Sequence, residues 1–107
     1  MAHSTEDVSL EMAVEEQSVS RDVFYRALAD ERRRQILSIL VEKTLPMDAQ
    51  TLAKTLADRA GTDDTDRILI MCYHVHLPLL ADAGLIEYSR DERSVHGVDE
   101  AVSNALP

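Results

Sequence analysis

Residues 66–83, DRILIMCYHVHLPLLADA, constrain this chain more than any other stretch. The acidic loop GTDDTD precedes them, with Asp63, Thr65 or Asp66 available as a helix cap, and Gly84 follows them. At 3.6 residues per turn, Leu69, Tyr73, His76, Leu77 and Leu80 fall on one face. Ile68, Cys72, Val75 and Leu79 form a second stripe a quarter-turn or more away, leaving Arg67, Met71, His74, Pro78 and Asp82 on a narrow third side. A helix apolar over most of its circumference is buried on most sides. One small domain covers the first stripe. The second requires another cover, and a second copy of the chain is the expected one, meeting Ile68, Cys72, Val75 and Leu79 together with Val102 and Leu106 near the C-terminus. The alternative cover is the N-terminal arm folded back.

With 107 residues, one domain is expected. One Phe, three Tyr and no Trp leave the core to aliphatic side chains, and three Gly with three Pro argue against a turn-rich all-β fold. The opening MAHSTEDVSL is acidic and lacks the basic-then-apolar pattern of a secretory signal. The longest unbroken apolar run, Ile68–Tyr73, is too short for a membrane span. Cys72 is the only cysteine, so no intramolecular disulfide is possible and a cytoplasmic location is the simple expectation.

Twenty acidic against eleven basic residues give a net charge of −9, and only two of the bases, Lys43 and Lys54, are lysine. This acidic, lysine-poor composition resembles that of proteins from extreme halophiles. At about 1 M salt the Debye length is only about 3 Å, so a net negative charge repels nucleic acid far less than in dilute buffer.

Residues 1–19 read as an acidic arm, 20–98 as the domain, and 99–107 as a short C-terminal helix or tail. Ser20 opens a helix carrying Phe24, Ala27 and Leu28. Asp30 caps a second, with Glu31 in its first turn and Ile36, Leu37, Ile39, Leu40 and Val41 on its buried face. After Pro46, Asp48 caps a third helix bearing Leu52, Ala53, Leu56 and Ala57, which Gly61 stops. Beyond the long fourth helix, Leu85–Tyr88 and Val95–Val98 read as strands joined by a polar turn, and Asp99 caps a last helix. The expected class is mainly α with a small β-hairpin, in the order of a winged helix-turn-helix.

Two motifs carry a family resemblance. FYRALADERRRQILSIL (Phe24–Leu40) resembles the opening helices of ArsR-type winged-helix regulators, with Arg33, Ile36 and Leu37 at the matching positions. HLPLLADAGLIEY (His76–Tyr88) is similar to the end of their recognition helix and first wing strand, through His76, Leu77, Leu80, Ala83, Gly84, Leu85 and Ile86. The whole resembles small winged-helix domains of halophilic archaea, most without a firm assignment. Three departures stand out: a long connection before the fourth helix, Pro78 inside it, and Asp63, Asp64 and Asp66 at its start.

The resemblance implies a homodimeric, sequence-specific DNA-binding transcriptional regulator. Arg67, Met71 and His74 would meet base edges in the major groove, Met71 against thymine methyls, with Arg90 and Arg93 on the wings. The three Asp residues and the net charge motivate the alternative, a protein–protein interaction module that has lost DNA binding. Arg32, Arg33 and Arg34 point three ways around a helix, and local ion pairs with Asp30 or Glu31 are expected over a phosphate-binding row. Cys72 and His76 lack a third ligand nearby, so no metal is expected, and Cys72 reads as an inert buried thiol. Nothing resembles a phosphate loop or nucleophile elbow, so neither an enzyme nor a cofactor is expected.

Overall fold

The computed structural model describes residues 21–105. Helix α1 occupies residues 21–29, α2 Glu31–Glu42 and α3 Ala49–Ala60, with a two-residue strand β1, Met47–Asp48, between the last two. A long helical segment follows, made of α4 (Thr65–Met71), one wide turn (Cys72–His76) and α5 (Leu77–Asp82). Strands β2 (Ile86–Ser89) and β3 (Ser94–Val98) and helix α6 (Glu100–Ala105) complete the chain. The class is mainly helical with one small antiparallel sheet.

Local chemistry sets most boundaries. The Asp30 carboxylate accepts a bond from the Arg33 N–H at 3.2 Å, and Asp48 accepts one from the Thr51 N–H at 2.7 Å, so each satisfies an otherwise unpaired donor of a first helical turn. Gly61 ends α3 in the left-handed region at φ 69°, and Gly84, at φ 76°, turns the chain out of α5. The long segment is capped at Asp64, not at Asp63, Thr65 or Asp66, and no side chain closes that cap. The Asp99 carboxylate accepts from the Ala101 N–H at 2.9 Å, opening α6 as expected.

The sheet has three strands, in the order β1-β3-β2. Met47 pairs with Val95 and Asp48 with Ser94, an interaction too short in sequence to announce itself. Between β2 and β3 the register slips at Glu87/Tyr88, leaving His96 unpaired as a bulge. The Ala49 N–H donates to the Arg93 carbonyl at 2.8 Å, which fastens the start of α3 to the hairpin turn.

The core is aliphatic. Ile36, Leu37, Ile39 and Leu40 from α2 meet Leu52 and Leu56 from α3, Leu77 and Leu80 from α5, and Val95 from β3, all essentially without solvent contact. Each such Leu or Ile contributes about 1.5–3 kcal/mol through burial. Val41, expected inside, is 42% exposed: it follows Leu40 around the helix and turns away from α3.

The wide turn changes what the long segment buries. The Leu77 N–H reaches back five residues to the Cys72 carbonyl, and Pro78, which has no N–H to give, stands immediately after it. In a regular helix a four-residue spacing drifts by about 40° at each step. The wider turn cancels that drift, so Ile68, Cys72, His76 and Leu80 stay on one buried line while Leu69 and Tyr73 become half-buried. One buried line is therefore drawn from both expected stripes, and Val75 of the second is left exposed.

Candidate nucleic-acid interface

The outward side of the long segment carries Arg67, Met71 and His74, all exposed as anticipated. It is more apolar than the sequence reading allowed, because Ile70 is 58% exposed and Val75 39%. Ile70 precedes His74 by four residues, so the same helical arithmetic places it there, outside both apolar stripes.

On one flank, the hairpin turn folds against this segment. The Arg93 guanidinium lies over the Tyr73 ring, 4.7 Å from its centroid. The Tyr73 ring in turn meets the His74 ring edge-on at 4.8 Å and 85°. Arg93 holds this pose from a left-handed backbone, φ 54°, with Arg90 exposed at the other end of the turn. Glu92 faces His96 at 2.6 Å, so one of the two turn acids is already engaged along the hairpin. The structure thus brings Arg93 beside His74, whereas Arg67 and Met71 line a cleft on the other flank.

Three of the residues expected at a dimer interface are covered by the subunit itself. Cys72 and Val102 are fully buried and Ile68 nearly so, Ile68 and Cys72 lying on the line that the wide turn keeps inward. Val75 and the half-buried Leu79 remain open to a partner, and Leu106 lies outside the described residues, as does the acidic arm.

The three consecutive arginines have three separate fates, none of them an ion pair with Asp30 or Glu31 among the described residues. Arg33 is buried. Its Nε donates to the Ala27 carbonyl at 2.9 Å and a terminal nitrogen to the Arg26 carbonyl at 3.0 Å. Arg34 donates to the Leu28 carbonyl at 2.8 Å. Together they satisfy the last carbonyls of α1, which have no partners within their own helix. Arg32 is half-buried, and its Nη1 is enclosed with no hydrogen-bond partner among the described residues.

Arg33 also reaches His76, with Nη1 3.4 Å from Nδ1. A guanidinium can only donate, so Nδ1 must be the acceptor, and the ring is neutral with its proton on Nε2. Burial pushes the His76 pKa down; Asp30 opposes this, and the Arg33 and Arg32 charges add to it. Partial burial raises the Asp30 carboxyl, but the Arg33 N–H bond and the Arg33 guanidinium outweigh it and hold the group below its usual range. Burial pushes the Cys72 thiol up to about 11 despite the nearby Arg32 charge. No group of three or more His, Cys, Asp or Glu converges as a metal would require among the described residues. No helix there is long and apolar enough to cross a membrane.

A family model described as a domain of unknown function, DUF7344, matches residues 25–96. The chain belongs to the DUF7344 family. The match runs from Tyr25 in α1 to His96 in β3, so the DUF7344 unit comprises the helices, the long segment and the sheet, and excludes the arm and α6. No curated protein and no solved structure matches the chain.

Proposed function

We propose that this DUF7344 domain is a winged helix-turn-helix that acts as a cytoplasmic homodimer and regulates transcription by sequence-specific binding of double-stranded DNA, without catalysis. The long segment is its recognition helix and the β2–β3 hairpin its wing. The observation that carries the reading is the contact of Arg93 with Tyr73 beside His74, which joins basic groups of two elements into one outward surface. Arg67 and His74 supply donors to base edges, Met71 and Ile70 supply apolar contacts to thymine methyls, and Arg90 and Arg93 lie against the backbone. In the multimolar salt that the composition suggests, counterion release contributes little affinity, so such short-range contacts carry the binding.

Gel-shift and footprinting of genomic fragments in concentrated KCl test this reading. A protected sequence is expected with the natural chain and lost in the R67A/H74A double variant. Binding retained by that variant rejects the placement. Light scattering in the same buffer is expected to give a dimer, and a clean monomer removes that part.

A second reading has its own observation. Asp63, Asp64 and Asp66 are exposed at the start of the segment, ahead of exposed Ile70, Met71 and Val75. An acidic rim around an apolar strip suits a partner protein with a complementary basic border. No protected fragment, together with a defined protein partner recovered on that strip, decides for it.

A further inference from the structure

The long segment, the N-terminal half of α2 and the C-terminal end of α3 enclose a cleft of ≈ 460 Å³. Its volume falls within the range of small-molecule sites, about 300–1,000 Å³. Ile68 and His76 are its buried floor, and Ala60, Thr62, Arg67 and Met71 belong to its exposed rim. Arg32 lines this space, and its Nη1 is sealed from solvent without an acceptor among the described residues. A buried, unpaired donor on a charged group costs about 1–3 kcal/mol or more, and a small rotation of the half-buried Arg32 side chain toward the cleft would let it meet an acceptor there. Its neighbours give no relief: Arg33 is committed to α1, and the acid that lines the cleft, Asp64, forms no ion pair among the described residues.

Charge and shape narrow the missing acceptor. Arg32 and Arg67 contribute two positive charges to the lining, Asp64 one negative, and His76 is neutral, which leaves one positive charge uncompensated. In a chain of net charge −9 this is a local reversal of sign. The Thr62 hydroxyl adds a second donor, and with Nδ1 occupied by Arg33 the His76 ring retains an N–H at Nε2. Ala60, Ile68 and Met71 form an apolar wall beside these donors. One excess positive charge suits a monoanion better than a phosphate dianion, and the planar fork of a guanidinium matches a carboxylate.

We propose that this cleft binds a small organic monocarboxylate, its head on Arg32 and its apolar body against Ala60, Ile68 and Met71. The inference does not depend on DNA binding. Should both hold, occupancy would engage Arg67 and Met71 and so compete directly with DNA for them.

Two-dimensional NMR of the full-length labelled protein, titrated with sodium hexanoate at constant ionic strength, tests the assignment. Saturable shifts are expected at Arg32, Thr62, Ile68 and Met71, with much weaker shifts from the neutral isostere hexanamide and from acetate, which lacks the apolar body. R32M is expected to weaken binding by about tenfold to a hundredfold, the equivalent of losing one charged hydrogen bond. M71E alters only an exposed rim position, so it retains the fold while placing a repelling charge at the mouth, and a loss of about tenfold is expected. Absence of saturable shifts, equal response to hexanamide, or unchanged affinity in a folded R32M or M71E would overturn the proposal. Inorganic phosphate binding more tightly than hexanoate would overturn the choice of head group.

Discussion

Replacing Arg33 by Met isolates the polar pin that holds α1, α2 and the wide turn together. Methionine keeps the length and the apolar stem but leaves the Ala27 carbonyl, the Arg26 carbonyl and His76 Nδ1 without their donor. A hydrogen bond to a charged group is worth about 1.5–3 kcal/mol net, and two of the three here are short, at 2.9 and 3.0 Å. Arg26 is exposed, so its carbonyl recovers water, while Ala27 is fully buried and its carbonyl does not. The expected loss is therefore about 2–4 kcal/mol, against a total of about 4–13 kcal/mol for a domain of this size. Urea denaturation followed by circular dichroism measures it directly. R33K should recover only part of the loss, because an ammonium is a point donor and lacks the planar fork that serves two carbonyls at once. The substitution also carries a pH signature. In the natural chain His76 titrates below its unfolded value of 6.5, so the unfolded state takes up its proton first. Stability from this group is complete above that value and declines as pH falls from it toward the folded pKa. Removing the Arg33 charge brings the folded pKa closer to 6.5 and flattens that decline. A loss below about 1 kcal/mol, or an unchanged slope between pH 7 and the carboxylate range, would refute the pin.

Other substitutions separate the remaining contributions. G61A should cost about 1 kcal/mol in chemical denaturation, purely from the left-handed backbone, because a Cβ there meets nothing within 4 Å. L80A, at a position with no solvent contact, should cost about 2–5 kcal/mol and lower the denaturation midpoint accordingly. Cys72, buried and with its thiol pushed up to about 11, should resist iodoacetamide at pH 8 in the folded protein, where about one thiol in a thousand is ionised, and react only on unfolding. Neutralising the exposed Arg59–Glu42 pair, 2.8 Å apart, by E42Q should leave the urea midpoint unchanged at any salt concentration.

Features written in local chemistry were legible in the sequence. Asp30 and Asp48 announce helix starts because a carboxylate three residues before a free N–H is a short-range arrangement, and Gly61 and Gly84 announce stops because few other residues accept a positive φ. Features that depend on a distant partner were hidden. Met47 and Asp48 form a strand only because Val95 and Ser94 are there to pair with them. Arg33 reads as one member of a basic run until α1 presents its open carbonyls. The candidate surface divides along the same line. Exposure of Arg67, Met71 and His74 follows from periodicity, whereas the approach of Arg93 to Tyr73 depends on the hairpin's docking, and the inward turn of Ile68 and Cys72 on one irregular turn.

That irregular turn makes residue number, as well as residue identity, part of the specification. Closing the same residues into a regular ladder, with none removed, would improve the local bonding yet swing everything after them by roughly 100°. Leu77 and Leu80 would leave their seats, and α5 would present Leu79 to the core in place of Leu80. The wide turn therefore absorbs one residue more than a regular helix would hold, and length variation is expected to be tolerated in the 61–64 loop and at this turn, and rejected in the regular helix on either side of it.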